Sequence, residues 1–201
     1  MPQSTRFLTS IEAESAIVSR VSQLLQSRER VCIAIDGNCC AGKTTMANRF
    51  GDVLDATVFH LDDYFLQPHM RTQQRLSQPG GNVDAERFLA EVLLPVSSGE
   101  TAHVQKYDCH ADVLLAPVTV FSKRVTIIEG AYSLHPLLSG YYDLKIFCRI
   151  DPALQETRIL ARNGAGALKM FQERWIPLEN RYFLTLNIPE QCDLVIEAVE
   201  A

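Results

Sequence analysis

The stretch Val31-Cys-Ile-Ala-Ile-Asp-Gly37-Asn-Cys-Cys-Ala-Gly42-Lys43-Thr44 decides the fold. Its first half is a short, continuous apolar run rich in β-branched residues. Such a run, closed by Asp36-Gly37, suits a strand buried on both faces of a parallel sheet. Its second half fits GxxxxGK[ST] at every fixed position, and residues 43–54 follow as an expected helix. Glycines allow the tight path that turns several backbone N–H groups onto one oxyanion cluster, and the helix N-terminus adds partial positive charge. Gly37, Asn38, Cys39, Cys40, Ala41, Gly42, Lys43, Thr44 and Thr45 are therefore the expected phosphate-binding residues. Lys43 can bridge the outer phosphates, and the Thr44 hydroxyl can ligate Mg²⁺. Cys39 and Cys40 fill variable positions of the motif, as small residues tolerated there or as redox-sensitive thiols.

Outward from this stretch, helical and extended patterns alternate. Ser10 to Arg30 carries Ile11, Ile17, Val21, Leu24 and Leu25 at three- and four-residue steps, with Ser10 as a candidate cap, and reads as an amphipathic helix. Further strands are expected at Ala56–Leu61, Val125–Ile128, Leu144–Ile150 and Asp193–Ala198, with weaker ones at Val104–Tyr107 and Val118–Phe121. Residues 66–82 hold Pro68, Pro79, Gly80 and Gly81 and read as an irregular loop. Asp84 to Val96 reads as a helix with Phe88, Val92 and Leu93 on one side. A helix from Pro152 to Asn163 is broken by Gly164-Ala-Gly166 and resumes from about Leu168 to Leu184. This alternation predicts an α/β chain with a mostly parallel sheet covered on both faces.

The chain has 201 residues, which argues for a single domain, with residues 66–121 as an insertion beside the sheet. It is 47% hydrophobic and 21% charged, with a net charge of −5. Neither a disordered chain nor a general polyanion binder fits that balance. No apolar run reaches membrane-spanning length, and Met1 to Ser10 lacks the apolar core of a signal peptide. The six cysteines show no CxxC pairing. A reduced, cytoplasmic protein without membrane or nucleic-acid partners is the expectation, and a homo-oligomer is compatible with it.

Three groups of charged residues stand where chemistry is expected. Asp62-Asp63 ends the second strand, and ligands in open α/β sheets sit beyond the carboxyl ends of strands. A carboxylate there can take the proton of an attacking hydroxyl, or can be a solvated strand end or a cap. Glu129 holds the equivalent place after Val125–Ile128 and can hold Mg²⁺. Arg158 and Arg162 lie on one helical face, with Lys169 and Arg174 beyond the glycine break. These cations read either as a solvated face or as a lid over residues 158–174 that closes on a triphosphate. Arg158 can also pair locally with Glu156 or Asp151.

With these pieces placed, the sequence resembles the uridine kinase-like branch of the P-loop kinases, next to phosphoribulokinase, pantothenate kinase and ribosylnicotinamide kinase. The resemblance is carried by Ile33–Thr45, Asp62-Asp-Tyr-Phe65, Asn82-Val-Asp84 with Phe88, Tyr107-Asp-Cys-His110, Ile127-Ile-Glu-Gly130 and the Arg158–Arg174 stretch. It implies a P-loop three-layer sandwich with a five-stranded parallel sheet of order 2-3-1-4-5 and a helical lid. It implies ATP and Mg²⁺ as cofactors, and transfer of the γ-phosphoryl group to a primary alcohol of a small, nucleoside-like molecule. Ribosylnicotinamide, pantothenate or a sugar phosphate is the alternative acceptor, and a nucleotide-switched binding protein the alternative class. Asp62 resembles the catalytic base of the branch and Glu129 its magnesium partner, while Arg162 and Arg174 look like lid arginines. Asp84 resembles the acid that holds ribose hydroxyls, and Tyr107 and His110 resemble substrate-pocket residues. Asp62-Asp63 and the shortened Asn82-Val-Asp84 depart from the usual uridine kinase pattern, and the paired aspartates look more like those of the ribosylnicotinamide and pantothenate kinases.

Overall fold

Side chains alternate across β2 (Val31–Gly37), and that alternation builds a layer on each face of the sheet. Ile33 and Ile35 join Ile127 and Ile146 in one core, under Ile17 and Val21 of α1 (Ser10–Ser27) and Phe50 of α2 (Lys43–Val53). Cys32 and Ala34 face the other way, into a core with Phe59, Phe88, Ile128, Phe147, Tyr182 and Phe183. The computed structural model describes residues 6–199.

The main sheet is parallel and six-stranded, in the order β3-β8-β2-β9-β10-β1. Its members are β1 (Arg6–Thr9), β2, β3 (Ala56–His60), β8 (Val125–Glu129), β9 (Leu144–Arg149) and β10 (Leu194–Glu197). Numbered from β2, the five expected strands keep the order 2-3-1-4-5. The sixth, β1, pairs in parallel with β10 at the edge, where the sequence pattern gave no strand. A four-residue edge strand is too short to carry a readable alternation.

Thr9, one residue before the expected Ser10, caps α1 in a reciprocal capping box with Glu12. The side chains of Ser10 and Ile11 lie outside the described residues.

The segment joining β3 to β8 holds two short helices, α3 (Gln73–Leu76) and α4 (Ala85–Phe88). A π-helical turn over Leu89–Leu93 leads from α4 into α5 (Leu94–Ser98). Two antiparallel ribbons follow, β4 (Ala102–Val104) with β7 (Val118–Val120) and β5 (Tyr107–Asp108) with β6 (Val113–Leu114). The strand expected at Val104–Tyr107 is thus divided between two ribbons, and the helix expected over 84–96 is widened in its middle. After β9, α6 (Pro152–Met170) loses helical geometry at Gly164 (φ 81°, ψ 171°), inside the expected break. A second π turn, Phe171–Trp175, leads into α7 (Ile176–Thr185). Each π turn ends two residues before a proline, Pro95 or Pro177. A proline ring crowds the carbonyl four residues back and supplies no N–H, so the preceding turn widens. Among the described residues, no helix is long and apolar enough to cross a membrane.

Candidate active site

The loop after β2 is shaped by glycines at the two positions where a side chain would be costly. Gly37 has φ 136°, and a Cβ there would lie 2.0 Å from the Cys148 carbonyl oxygen of β9. Gly42 has φ 92° and forms the N-cap of α2. Cys40, between them, is also at positive φ (61°). The loop therefore turns back on itself into α2, with the N–H groups of Asn38 and Ala41 donating to the carbonyls of Cys148 (3.0 Å) and Asn38 (3.2 Å).

Lys43 is buried, and its Nζ donates to the carbonyls of Gly37 (2.8 Å) and Asn38 (2.9 Å). Burial disfavours its charge, but Glu179, Asp62 and Asp36 outweigh burial and leave its pKa raised. Asp36 is completely buried and ties this loop to the next one. It accepts from the N–H groups of Gly37 (2.7 Å), Tyr132 (3.1 Å) and Leu134 (2.9 Å) and from the Tyr182 hydroxyl (2.9 Å). Burial pushes its carboxyl up, while the bonds from Leu134 and Gly37, the Lys43 charge and the Tyr182 hydroxyl pull it back.

The pairing of β3 with β8 sets His60 opposite Glu129. Their side chains meet at 2.5 Å, and the bond to Glu129 raises the His60 pKa against its burial. Thr44 Oγ1 lies 3.2 Å from each Glu129 carboxylate oxygen. A hydroxyl and a buried carboxylate at the head of the phosphate loop form a hard-oxygen donor set, which fits Mg²⁺ completed by phosphate and water. Among the described residues no cluster of three or more His, Cys, Asp or Glu side chains could form an all-protein metal cage.

Asp62 and Asp63 diverge. Asp63 pairs with Lys106 at 2.7 Å. Asp62 faces the cleft beside Gly130, where a Cβ would come within 3.1 Å of Asp62 Oδ1. Its carboxyl is open to solvent in the cleft but hemmed in by protein. That desolvation, with Glu129 and Asp63 adding to it and Lys43 opposing, brings its pKa to about 6.

Lys43, Thr44, Asp62 and Glu129 line one cavity of about 910 Å³, within the range of small-molecule sites. It is bounded by residues 39–45 of the loop together with Asp62, Glu129, Arg158 and Arg162. Arg158 pairs with neither Glu156 nor Asp151: it donates to the carbonyls of Cys40 (3.2 Å) and Val199 (2.7 Å). Arg162 is exposed at the cavity rim and bonded to Asn163.

Other expected site residues stand elsewhere. Arg174 is exposed and stacks over the Trp175 ring at 4.7 Å. Asp84 is buried, caps α4 at Arg87 N–H and pairs with the Arg87 guanidinium at 3.2 Å. Tyr107 bonds Arg71 (2.8 Å) and Asp112. His110 is exposed in the turn between β5 and β6. None of these four lines the cavity.

Several residues without a sequence-level assignment do. Glu179 from α7 accepts from Cys39 N–H at 2.9 Å. Phe65 and Trp175 pack against each other, ring centroids 6.0 Å apart and tilted by 43°. Tyr132, at φ 74°, is buried, with its hydroxyl beside Asn82. Only the unusual Asp36, an acid closing an apolar strand, leaves a local trace in the sequence. Burial pushes the Cys39 and Cys40 thiols up and holds them protonated, which suits small loop residues better than reactive ones.

No protein-family model matches the chain, and no curated protein matches it. Solved structures do. One, described as a possible uridine kinase from Bacillus stearothermophilus, has a TM-score of 0.63 at 19% identity, over 90% of this chain and 99% of that one. Another is YFH7 from Saccharomyces cerevisiae, described as a P-loop kinase candidate with a circular permutation. It has a TM-score of 0.58 at 12% identity, over 96% of this chain and 100% of that one. At these identities the likeness is one of architecture: the chain has the three-layer α/β fold of the P-loop kinases.

Proposed function

We propose that the protein is an ATP-dependent kinase of the uridine kinase-like branch, which phosphorylates a primary alcohol on a small, nucleoside-like molecule. One observation carries the reading: the phosphate loop, the Thr44–Glu129 pair and the cleft-facing Asp62 converge on one cavity. The loop amides and Lys43 hold the β- and γ-phosphates. Thr44 and Glu129 would hold Mg²⁺, which when bound neutralises phosphate charge. Asp62 takes the proton of the acceptor hydroxyl as its oxygen bonds to the γ-phosphorus. The bond from that phosphorus to the β–γ bridging oxygen breaks, and ADP leaves.

The acceptor binds on the side of Asp62 bounded by Phe65 and Trp175. An aromatic pair on the cavity wall offers a face on which a flat ring can stack, which favours a nucleoside-like acceptor over pantothenate or a sugar phosphate. The broken helix at Gly164 supplies a hinge by which Arg162 and Arg174 come over the transferring group. Asp84, Tyr107 and His110 act, in this reading, by shaping the acceptor side from behind. The enzyme works in the cytoplasm on a small molecule, without nucleic-acid or membrane partners.

A coupled ADP-release screen across nucleosides, ribosylnicotinamide, pantothenate and sugars tests this. ADP release stimulated by a nucleoside-like alcohol is the expected result. Stimulation by pantothenate or a sugar alone would reassign the acceptor. Hydrolysis of ATP indifferent to every alcohol would favour a nucleotide-switched protein.

A further inference from the structure

Cys39 is gripped on both sides of its backbone. Its N–H donates to Glu179 Oε2 at 2.9 Å, and its carbonyl accepts from Gln155 Nε2 at 3.0 Å. Both gripping side chains are 5% exposed, which is unusual for such polar groups. They belong to α6 and α7, on opposite sides of the Gly164 break and the Phe171–Trp175 π turn. Glu179 also lines the cavity that holds Lys43, Thr44 and Asp62.

The titratable groups that face Glu179 are Lys43 from α2, Asp36 from β2, the Cys39 and Cys40 thiols from the loop, and Tyr132 from the turn after β8. Lys43 is the one cation in this set. A polyphosphate entering the loop engages that cation and brings negative charge up to the carboxylate. A like charge brought up to a buried carboxylate disfavours its ionised form, and Glu179, unlike Glu129, has no metal site to offset it. The neutral acid can keep its carbonyl oxygen on Cys39 N–H and turn its O–H toward a phosphate oxygen.

We propose that Glu179 is a further phosphate-binding residue, whose carboxylate takes one proton from solvent as nucleotide enters and then bridges the Cys39 N–H and a phosphate oxygen as the neutral acid. The proposal rests on the nucleotide-binding reading of this cavity. One O–H bond forms on the carboxylate, the proton comes from water or buffer, and it returns there when nucleotide leaves. Burial already raises the Glu179 carboxyl to about 7, against the pull of Lys43 and Cys39 N–H. Above that pH the ligand-free residue is ionised and takes up a proton on binding. Below it the proton is already present and uptake fades.

The test is calorimetric titration of Mg·ATP into the full chain, in buffers of different ionisation enthalpy, at pH 6 and pH 8. Wild type is expected to take up about one more proton per nucleotide than Glu179→Gln at pH 8, and almost none more at pH 6. The glutamine keeps an oxygen for Cys39 N–H and removes the titration, and protonation of ATP itself cancels in the difference. Gln155→Leu removes the other half of the grip without removing a charge, and should keep wild-type uptake. Equal uptake by wild type and Glu179→Gln at pH 8 overturns the proposal while leaving nucleotide binding intact. Absence of Mg·ATP binding to wild type overturns the reading of the cavity as well. Should Glu179→Gln fail to fold, the infrared difference spectrum of wild type at pH 8 decides the matter: a protonated-carboxyl C=O band that appears on adding Mg·ATP is expected, and its absence contradicts the proposal.

Discussion

The loop half of the cleft and the segment joining β3 to β8 are held together in different ways. In the loop half most partners of the buried charged groups are main-chain: Lys43 bonds two carbonyls, Asp36 three N–H groups besides the Tyr182 hydroxyl, and Glu179 one N–H. In the joining segment pairs of side chains do more of the holding: Arg75 forks onto Glu86, Arg87 joins Asp84 to Glu91, and Arg71 joins Tyr107 to Asp112, each arginine adding one backbone carbonyl. Backbone contacts need a particular chain path, so they leave a motif of glycines and fixed spacings. Side-chain pairs need only that two long residues meet, so they leave almost no trace in the sequence. They also tolerate loss better.

The largest test of that contrast is Gly37→Ala. A Cβ 2.0 Å from the Cys148 carbonyl, at φ 136°, forces the loop and β9 apart. The expected cost is about 3 kcal/mol or more of folding stability, read by denaturant unfolding, with nucleotide binding lost. A folded variant with unchanged midpoint would show that the loop path is less constrained than this.

Asp62→Asn strikes the chemistry without the frame. Turnover should fall by about 10²–10⁴-fold while Mg·ATP affinity is kept. Because the folded pKa of about 6 lies above the ordinary aspartate value of 3.8, the folded state binds more protons there. Ionised Asp62 therefore opposes folding above about pH 6, and that cost disappears as pH falls toward the ordinary value. After discounting for its open, solvated face, the asparagine should add about 1 kcal/mol of stability at pH 7. Turnover of the wild type should drop as pH falls through about 6, as the base is protonated. A variant that loses affinity and stability together would make Asp62 a structural residue.

The smallest effect belongs to the side-chain half. Arg75→Ala removes the fork to Glu86 (2.6 Å on both arms) and a bond to the Val83 carbonyl (3.0 Å). The Glu86 end is exposed, so the loss should be about 1 kcal/mol in unfolding free energy. A loss as large as that of Gly37→Ala would erase the distinction.

The same contrast explains what the sequence made legible. Val31–Thr44 was readable because an apolar run and a glycine-spaced motif each follow from backbone requirements. The Gly164 break was readable for the same reason. β1 was not, since four residues carry too little pattern, and the Thr9 cap was hidden beside an equally suitable serine. The π turns need the neighbouring prolines and helices together to be inferred. Glu179 and Gln155 lie 140 and 116 residues from the cysteine they grip. No spacing rule reaches that far. Asp84 and Tyr107 show the converse: residues of a familiar pattern whose polar groups are taken by arginines of the joining segment.

The central claim is that the loop from Gly37 to Thr44 grips a nucleotide by its terminal phosphates. Titration of Mg·ATP into wild type and Lys43→Ala tests it most directly. Saturable one-site binding by wild type, weakened by about 100-fold or more in the variant, is the predicted result. Equal affinity in the two proteins, or no binding by wild type, would contradict it.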